Sequence, residues 1–200
     1  MYIIPGYSMM AATATTFMLS IIFLLLSEQS KKQYMRFWGI SWLVYSAMFL
    51  LDFCHLNWDF IYLGYVMLRQ MLALLGAYTF LLGTHHFFQT KYPASLGFAA
   101  ILSTISMSLY PAISPVYTLM IIPNIIFSSG LLIYSGCMFI AISWTQKLPE
   151  KLIASFLIIL WSIFINHFAF SLKNQQLEIF SYFISIFTVN VLILTLIIIY

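Results

Sequence analysis

Long apolar segments, separated by short polar or proline-containing breaks, dominate this chain. A helix that crosses a bilayer needs about 20 predominantly apolar residues, and seven segments lie near that length or above it. They cover residues 8–27, 37–54, 60–83, 94–110, 117–144, 152–171 and 179–200. The sequence therefore predicts an all-α fold, namely a polytopic membrane helix bundle of seven transmembrane helices.

The shortage of charged residues supports this interpretation. Only 6% of the 200 residues are charged, 63% are hydrophobic, and the mean hydropathy is +1.00. In an average soluble domain about a quarter of the residues are charged, and a soluble surface of this size needs that polar cover. The composition excludes a soluble enzyme, a secreted disulfide scaffold and a nucleic-acid-binding protein. We expect the lipid bilayer as a partner and no nucleic acid.

The distribution of basic residues predicts the orientation. With the N terminus outside, Lys173 is on the outer side, Arg69 lies within a span, and the other six basic residues fall on the inner side. These six are Lys31, Lys32, Arg36, Lys91, Lys147 and Lys151. Cytoplasmic connections are enriched in Lys and Arg. We therefore expect an N-out, C-in topology.

The C-terminal end of the sequence suggests a longer protein. Tyr200 ends directly on an apolar segment, without the basic residue that accompanies the other predicted inner ends. We expect residues 1–200 to form a single seven-helix domain that is cut before a cytoplasmic transmitter region. A native protein that stops at Tyr200 is the alternative.

Two charged residues within the predicted spans are candidates for a site. On an insertion scale, a charge at a helix centre costs about 2.5–3.5 kcal/mol. Asp52 lies near the outer end of the second span, and Arg69 lies near the middle of the third. Side chains lean toward the N terminus of their own helix, so these two lean toward each other on antiparallel neighbours. They predict either a buried pair that fixes helix register or the wall of a polar, outward-opening cavity.

Further polar and aromatic residues are expected to surround that cavity. Tyr62, Tyr65 and Arg69 follow helical spacing and share one face of the third span. Trp58 lies in the preceding connection, and Asn166 and His167 lie near the outer end of the sixth span. The predicted ligand-binding residues are Asp52, Arg69, Tyr62, Tyr65, Trp58, Asn166 and His167.

Two other patterns are expected to serve helix packing. Trp38, Trp42, Tyr45 and Phe49 lead to Asp52 along the second span in alternating steps of four and three. Such a stripe is typical of a packing seam, and a ligand-contacting wall is the alternative. The glycines at 64, 76, 130 and 136 are expected to permit close helix approach.

Catalysis within these residues is not expected, because the sequence has no HExxH, GxSxG or P-loop motif. No cofactor or metal is expected either. Haem between His55 and His167 stays open as an alternative, since these are the two histidines that the predicted topology places on the outer side.

The stretch from Tyr34 to Leu51 resembles a bacterial sensor region. It carries the pattern R-[FY]-W-x-x-x-W-x-x-Y on Arg36, Phe37, Trp38, Trp42 and Tyr45. This is similar to the start of the second helix in the multi-span membrane part of sensor histidine kinases and diguanylate cyclases. The resemblance covers about 20 residues and transfers no site residue. It implies a multi-pass protein of the bacterial inner membrane, with a kinase, PAS or cyclase module downstream.

The first functional hypothesis is therefore a membrane-embedded sensory input domain. A small or amphiphilic ligand, or a membrane state, would bias two helix packings in a homodimer and signal through the last helix. The alternatives are a small-molecule transporter or its membrane substrate-binding subunit, a haem-bearing electron carrier, and a structural subunit of a larger complex.

Overall fold

The computed structural model describes residues 3–57, 62–92, 94–112, 117–146, 153 and 155–160. Of the described residues 94% are helical, and none of them forms a strand. The helices are α1 (Ile3–Ser30), α2 (Gln33–Asn57), α3 (Tyr62–Phe87), α4 (Ala94–Leu109) and α5 (Tyr117–Gln146), and a 3₁₀ turn at Tyr110–Ala112 follows α4. Residues 155–160 are also helical.

Four of these helices are long and apolar enough to cross a membrane: α1, α2, α3 and α5. The predicted all-α fold is confirmed, and these four helices suggest a membrane protein, whereas seven spans and the N-out, C-in orientation stay predictions. The fourth predicted segment does form a helix, but α4 has 16 residues and spans about 24 Å at 1.5 Å per residue. The sixth predicted span lies largely, and the seventh entirely, outside the described residues.

Helices α1, α2 and α3 pack side by side as antiparallel neighbours. The Ser46 hydroxyl donates to the Thr13 carbonyl of α1 (3.0 Å), and the Ser41 hydroxyl donates to the Gly76 carbonyl of α3 (2.8 Å). The C terminus of α1, the N terminus of α2 and the C terminus of α3 therefore meet at one end of the bundle, which we call the Lys32 end. The end of α2 and the start of α3 form the opposite, Asp52 end.

Two left-handed residues stop the helices at the Lys32 end. Lys31 has a φ of 56°, and its N–H donates to the Ser27 carbonyl (2.9 Å), which closes α1. Gln89 has a φ of 54° and follows the last turn of α3. There, Gln89 N–H donates to the His86 carbonyl (3.3 Å) and Thr90 N–H to the His85 carbonyl (3.0 Å). These two bonds are the pair of a Schellman motif, which engages the carbonyls of His85 and His86 in the last turn of α3.

The aromatic stripe on α2 forms the centre of the core. Trp38, Trp42, Tyr45 and Phe49 are all buried. Trp38 packs against Phe23 of α1, Phe80 and Phe87 of α3, and Phe139 of α5, with ring centroids 5.5–6.3 Å apart. The packing-seam interpretation of the stripe is confirmed.

Close approach of α2 to its neighbours depends on glycines. A Cβ at Gly76 would lie 2.9 Å from the Tyr45 ring, and one at Gly83 would overlap Trp38 Cδ1. A Cβ at Gly39 would lie 2.9 Å from Leu24 Cγ of α1. The expectation for Gly76 is confirmed, and it also holds for Gly136, which approaches Ile159 and the Ser155 carbonyl.

The same expectation does not hold for Gly64 and Gly130 among the described residues. Within the described part of the chain, no atom lies within 4 Å of a Cβ built at either residue. Both glycines are exposed.

Candidate functional site

A buried charge pair joins α2 to α3 near the Asp52 end. Asp52 lies five residues before the end of α2, and Arg69 lies seven residues after the start of α3. Arg69 Nε donates to Asp52 Oδ1 at 2.9 Å. The predicted inward lean of Asp52 and outward lean of Arg69 thus closes the offset between them. The expected pairing of the two charged residues is confirmed.

Tyr65 completes the arrangement one helical turn before Arg69. Its hydroxyl donates to the same carboxylate oxygen, Asp52 Oδ1, at 2.7 Å. The Tyr65 ring stacks on the His55 ring with centroids 3.8 Å apart and planes 9° apart. His55 follows Asp52 by three residues on α2, so both contribute to one helix face. The Asp52 carboxylate therefore accepts hydrogen bonds from two residues of α3. His55 of α2 packs on one of these two residues, Tyr65.

All three hydrogen-bonded residues are withdrawn from the surface. Asp52 is 1% exposed, Tyr65 5% and Arg69 8%. In such a low-dielectric site an unpaired charge is strongly unfavourable, whereas a hydrogen-bonded pair is tolerated. The positive guanidinium offsets the negative carboxylate, so the site has no net formal charge.

The second carboxylate oxygen of Asp52 has no donor in the part of the chain that the structure describes. Asp52 Oδ2 is buried and accepts no hydrogen bond from any residue in the described ranges. Buried polar atoms in native proteins are nearly always satisfied by protein or by another hydrogen-bonding group. A carboxylate oxygen accepts and does not donate, so its missing partner must be a donor.

A neighbouring hydrogen bond connects the site region to α5. Asn124 Nδ2 donates to the carbonyl of Gln70 at 3.0 Å, and both residues are buried. Gln70 follows Arg69 directly on α3. This hydrogen bond therefore joins α3 to α5 one residue from the charge pair.

The structure tests only part of the predicted set. It brings together Asp52, Tyr65 and Arg69. Tyr62 is the first residue of α3, and its side chain is not described. The predictions for Trp58, Asn166 and His167 fall outside the described residues. The alternative of haem between His55 and His167 falls outside them too, because it depends on His167.

His55 and Gln70 were not predicted as members of the site. For His55 the sequence held a usable indication, since its three-residue spacing from Asp52 places both on one helix face. For Gln70 it did not, because the bond to α5 uses its backbone carbonyl, which every residue possesses.

Comparison of the chain with known protein families, with curated proteins and with solved structures finds no match.

Proposed function

We propose that this chain is a membrane-embedded sensory input domain that binds a small amphiphilic ligand at Asp52. In this proposal it crosses the bacterial inner membrane seven times, N-out and C-in. It acts as a homodimer and signals through its last helix to a cytoplasmic module. The resemblance at Tyr34–Leu51 and the distribution of Lys and Arg support these features.

The observation that carries the proposal is the buried Asp52–Arg69–Tyr65 arrangement. Charged residues within membrane spans are costly and are typical of functional sites. Here Asp52 Oδ1 accepts bonds from Arg69 and Tyr65, while Oδ2 has no donor among the described residues. A ligand with a hydroxyl or ammonium group supplies the missing donor, and its apolar part fits the surrounding hydrocarbon.

Ligand binding and helix packing are coupled at this carboxylate. A donor on Oδ2 competes with Arg69 and Tyr65 for the charge of Asp52, which weakens the link between α2 and α3. Because Gln70 and Asn124 join α3 to α5 at the next residue, the altered position of α3 reaches α5. A ligand shifts such an equilibrium only by its difference in affinity for the two packings.

The test is ligand-dependent thermal stability of the chain in lipid nanodiscs. The probes are primary alcohols and alkylammonium ions of graded chain length. We expect at least one to raise the Tm as its concentration increases, because a ligand that binds only the folded state stabilises it by mass action. Asp52→Asn converts one carboxylate oxygen to a donor and is expected to abolish the shift.

The matched control is Glu28→Gln, the same chemical change at an exposed carboxylate near the Lys32 end. It is expected to leave the ligand-induced shift intact. If no probe changes the Tm, or if Asp52→Asn and wild type respond equally, Asp52 is not the ligand site. If an active probe accumulates inside sealed proteoliposomes, the chain is a transporter and the sensor proposal is wrong.

A further inference from the structure

A cleft opens at the Lys32 end, away from the charge pair. It has a volume of about 430 Å³ and is lined by Lys32, Gln33, Tyr34, His86, Phe87 and Gln89. This volume lies within the range of about 300–1,000 Å³ that is typical of small-molecule sites. The lining comes from the connection between α1 and α2, from the first turn of α2 and from the last turn of α3.

The lining combines an aromatic wall with basic and amide groups. The Tyr34 and Phe87 rings meet edge to face with centroids 5.0 Å apart. The Lys32 ammonium lies 6.0 Å from the centroid of the Tyr34 ring. The exposed His86 ring stacks on Phe37, with centroids 4.9 Å apart. None of the six lining residues is acidic.

The surrounding charges also favour an anion. Arg36 and Lys91 are exposed near the cleft in sequence, whereas the exposed Lys31 forms an ion pair with Glu28 near the end of α1. Glu28 is itself engaged, since Lys31 Nζ lies 3.4 Å from its Oε2. An anion in the cleft therefore meets an excess of positive charge.

The backbone at the cleft adds to this preference. The first turn of α2 presents the positive end of the helix dipole. The last turn of α3 presents the negative end of its own dipole, which the Schellman hydrogen bonds from Thr90 and Gln89 to the His85 and His86 carbonyls offset in part. The cleft thus lies between the first turn of α2 and the capped last turn of α3.

The cleft lies at the ends of three candidate membrane-spanning segments. The membrane-spanning part of α1 ends at Ser30, that of α2 begins at Gln33, and that of α3 ends at Phe87. The lining residues therefore lie where the apolar spans give way to the polar interface.

We propose that this cleft binds a phosphate-bearing anion, with Lys32 and His86 contacting the phosphate group and Gln33 and Gln89 contacting its substituent. The proposal does not depend on the sensor function. The phosphate can belong to the headgroup of an anionic phospholipid or to a soluble phosphate compound, and the two sources differ in whether acyl chains contribute to binding.

Native mass spectrometry of the detergent-solubilised full chain tests this proposal. The probes are short-chain phosphatidylglycerol, short-chain diacylglycerol, glycerol phosphate and inorganic phosphate. We expect phosphatidylglycerol to bind and diacylglycerol to fail. A basic residue near a membrane surface contributes about 1 kcal/mol to the binding of anionic lipid, so Lys32→Gln is expected to weaken binding about fivefold. His86→Gln, which changes an exposed side chain, is expected to weaken binding as well.

Lys31→Gln is the matched control, because it removes the same charge one residue away but outside the lining. Binding by this variant is expected to stay near the wild-type level. If glycerol phosphate and inorganic phosphate displace phosphatidylglycerol from the cleft at similar concentrations, the phosphate group belongs to a soluble compound. If they do not displace it, the phosphate group belongs to a lipid headgroup. Equal losses in Lys31→Gln and Lys32→Gln, no loss in either, or equal binding of diacylglycerol would overturn the proposal.

Discussion

At the scale of single residues, Asp52 determines how α2 and α3 meet. One of its oxygens accepts bonds from Tyr65 and Arg69, two residues on one face of α3. Removing one partner of a buried ion pair leaves the other charge uncompensated, which typically costs 3–5 kcal/mol. The Tyr65 hydroxyl is different, because its removal leaves the pair of charges intact. The resulting change in the free energy of unfolding therefore measures the contribution of one hydrogen bond.

Tyr65→Phe is expected to lower the free energy of unfolding by about 1–2 kcal/mol, since it deletes a bond to a charged acceptor but keeps the ring on His55. Chemical or thermal unfolding in detergent micelles measures this change. Tyr134→Phe is the matched control: its side chain is exposed, and the expected change is below about 0.5 kcal/mol. Equal effects of the two substitutions would show that the bond to Asp52 contributes no stability.

Part of this site could be predicted from the sequence, because charged residues within apolar segments are rare and must find partners. Asp52 and Arg69 are identified by that argument, and the direction of side-chain lean predicts that they meet. The stacking of His55 on Tyr65 could not be predicted. It depends on the rotation of α2 about its axis, which the burial of Trp38 and Trp42 settles only in the folded protein.

At the scale of helices, contact between α2 and α3 depends on where side chains are missing. Gly83 lies opposite Trp38, and Gly76 lies opposite Tyr45. The Trp38 ring is confined by aromatic rings from three helices, so it has no room to withdraw from an added methyl group. The large side chains of Trp38 and Tyr45 on α2 therefore require glycine at the facing positions of α3.

Gly83→Ala is expected to destabilise the protein by about 1–3 kcal/mol, the usual cost of overpacking a filled core. Gly64→Ala on the same helix is the control, because no described atom lies within 4 Å of the added methyl. Alanine has a higher helix propensity than glycine by about 1 kcal/mol, so Gly64→Ala is expected to be neutral or stabilising. Unfolding midpoints of the two variants make the comparison, and a Gly83→Ala protein as stable as wild type would contradict it.

The helix boundaries were predicted well, whereas the roles of individual glycines were not. Polar and proline breaks mark the helix ends, since polar backbone outside a helix is unfavourable in hydrocarbon. The predicted segment 117–144, for example, corresponds to α5 at Tyr117–Gln146. A glycine favours close approach only on the face that meets a neighbour. Gly83 lies on such a face, whereas Gly64 meets no described neighbour. Only the packed structure reveals this difference.

At the scale of the whole molecule, the two ends of the bundle differ in chemistry. The Lys32 end carries exposed basic residues and a polar cleft. The Asp52 end carries the buried Asp52–Arg69 ion pair, whose formal charges cancel. In the proposed N-out topology, the basic end would lie on the cytoplasmic side and the charge pair nearer the outside.

Labelling of single cysteines is expected to show this orientation. In a background with Cys54→Ser and Cys137→Ser, we introduce Ser95→Cys at the start of α4 or Ala112→Cys just after its end; both positions are exposed. A membrane-impermeant maleimide is expected to label Ala112→Cys in intact spheroplasts. Ser95→Cys is expected to react only after permeabilisation. The reverse pattern would contradict the N-out topology.

The pairing of Asp52 with Arg69 also has a consequence for biosynthesis. During translation α2 leaves the ribosome before α3, so its aspartate reaches the translocon before its arginine partner has emerged. Both α2 and α3 are less hydropathic than α1 and α5, and each carries a charge that is costly to place alone in hydrocarbon. We therefore expect α2 to wait at the translocon until α3 emerges, so that the two helices enter the lipid together as a hairpin already joined by its ion pair.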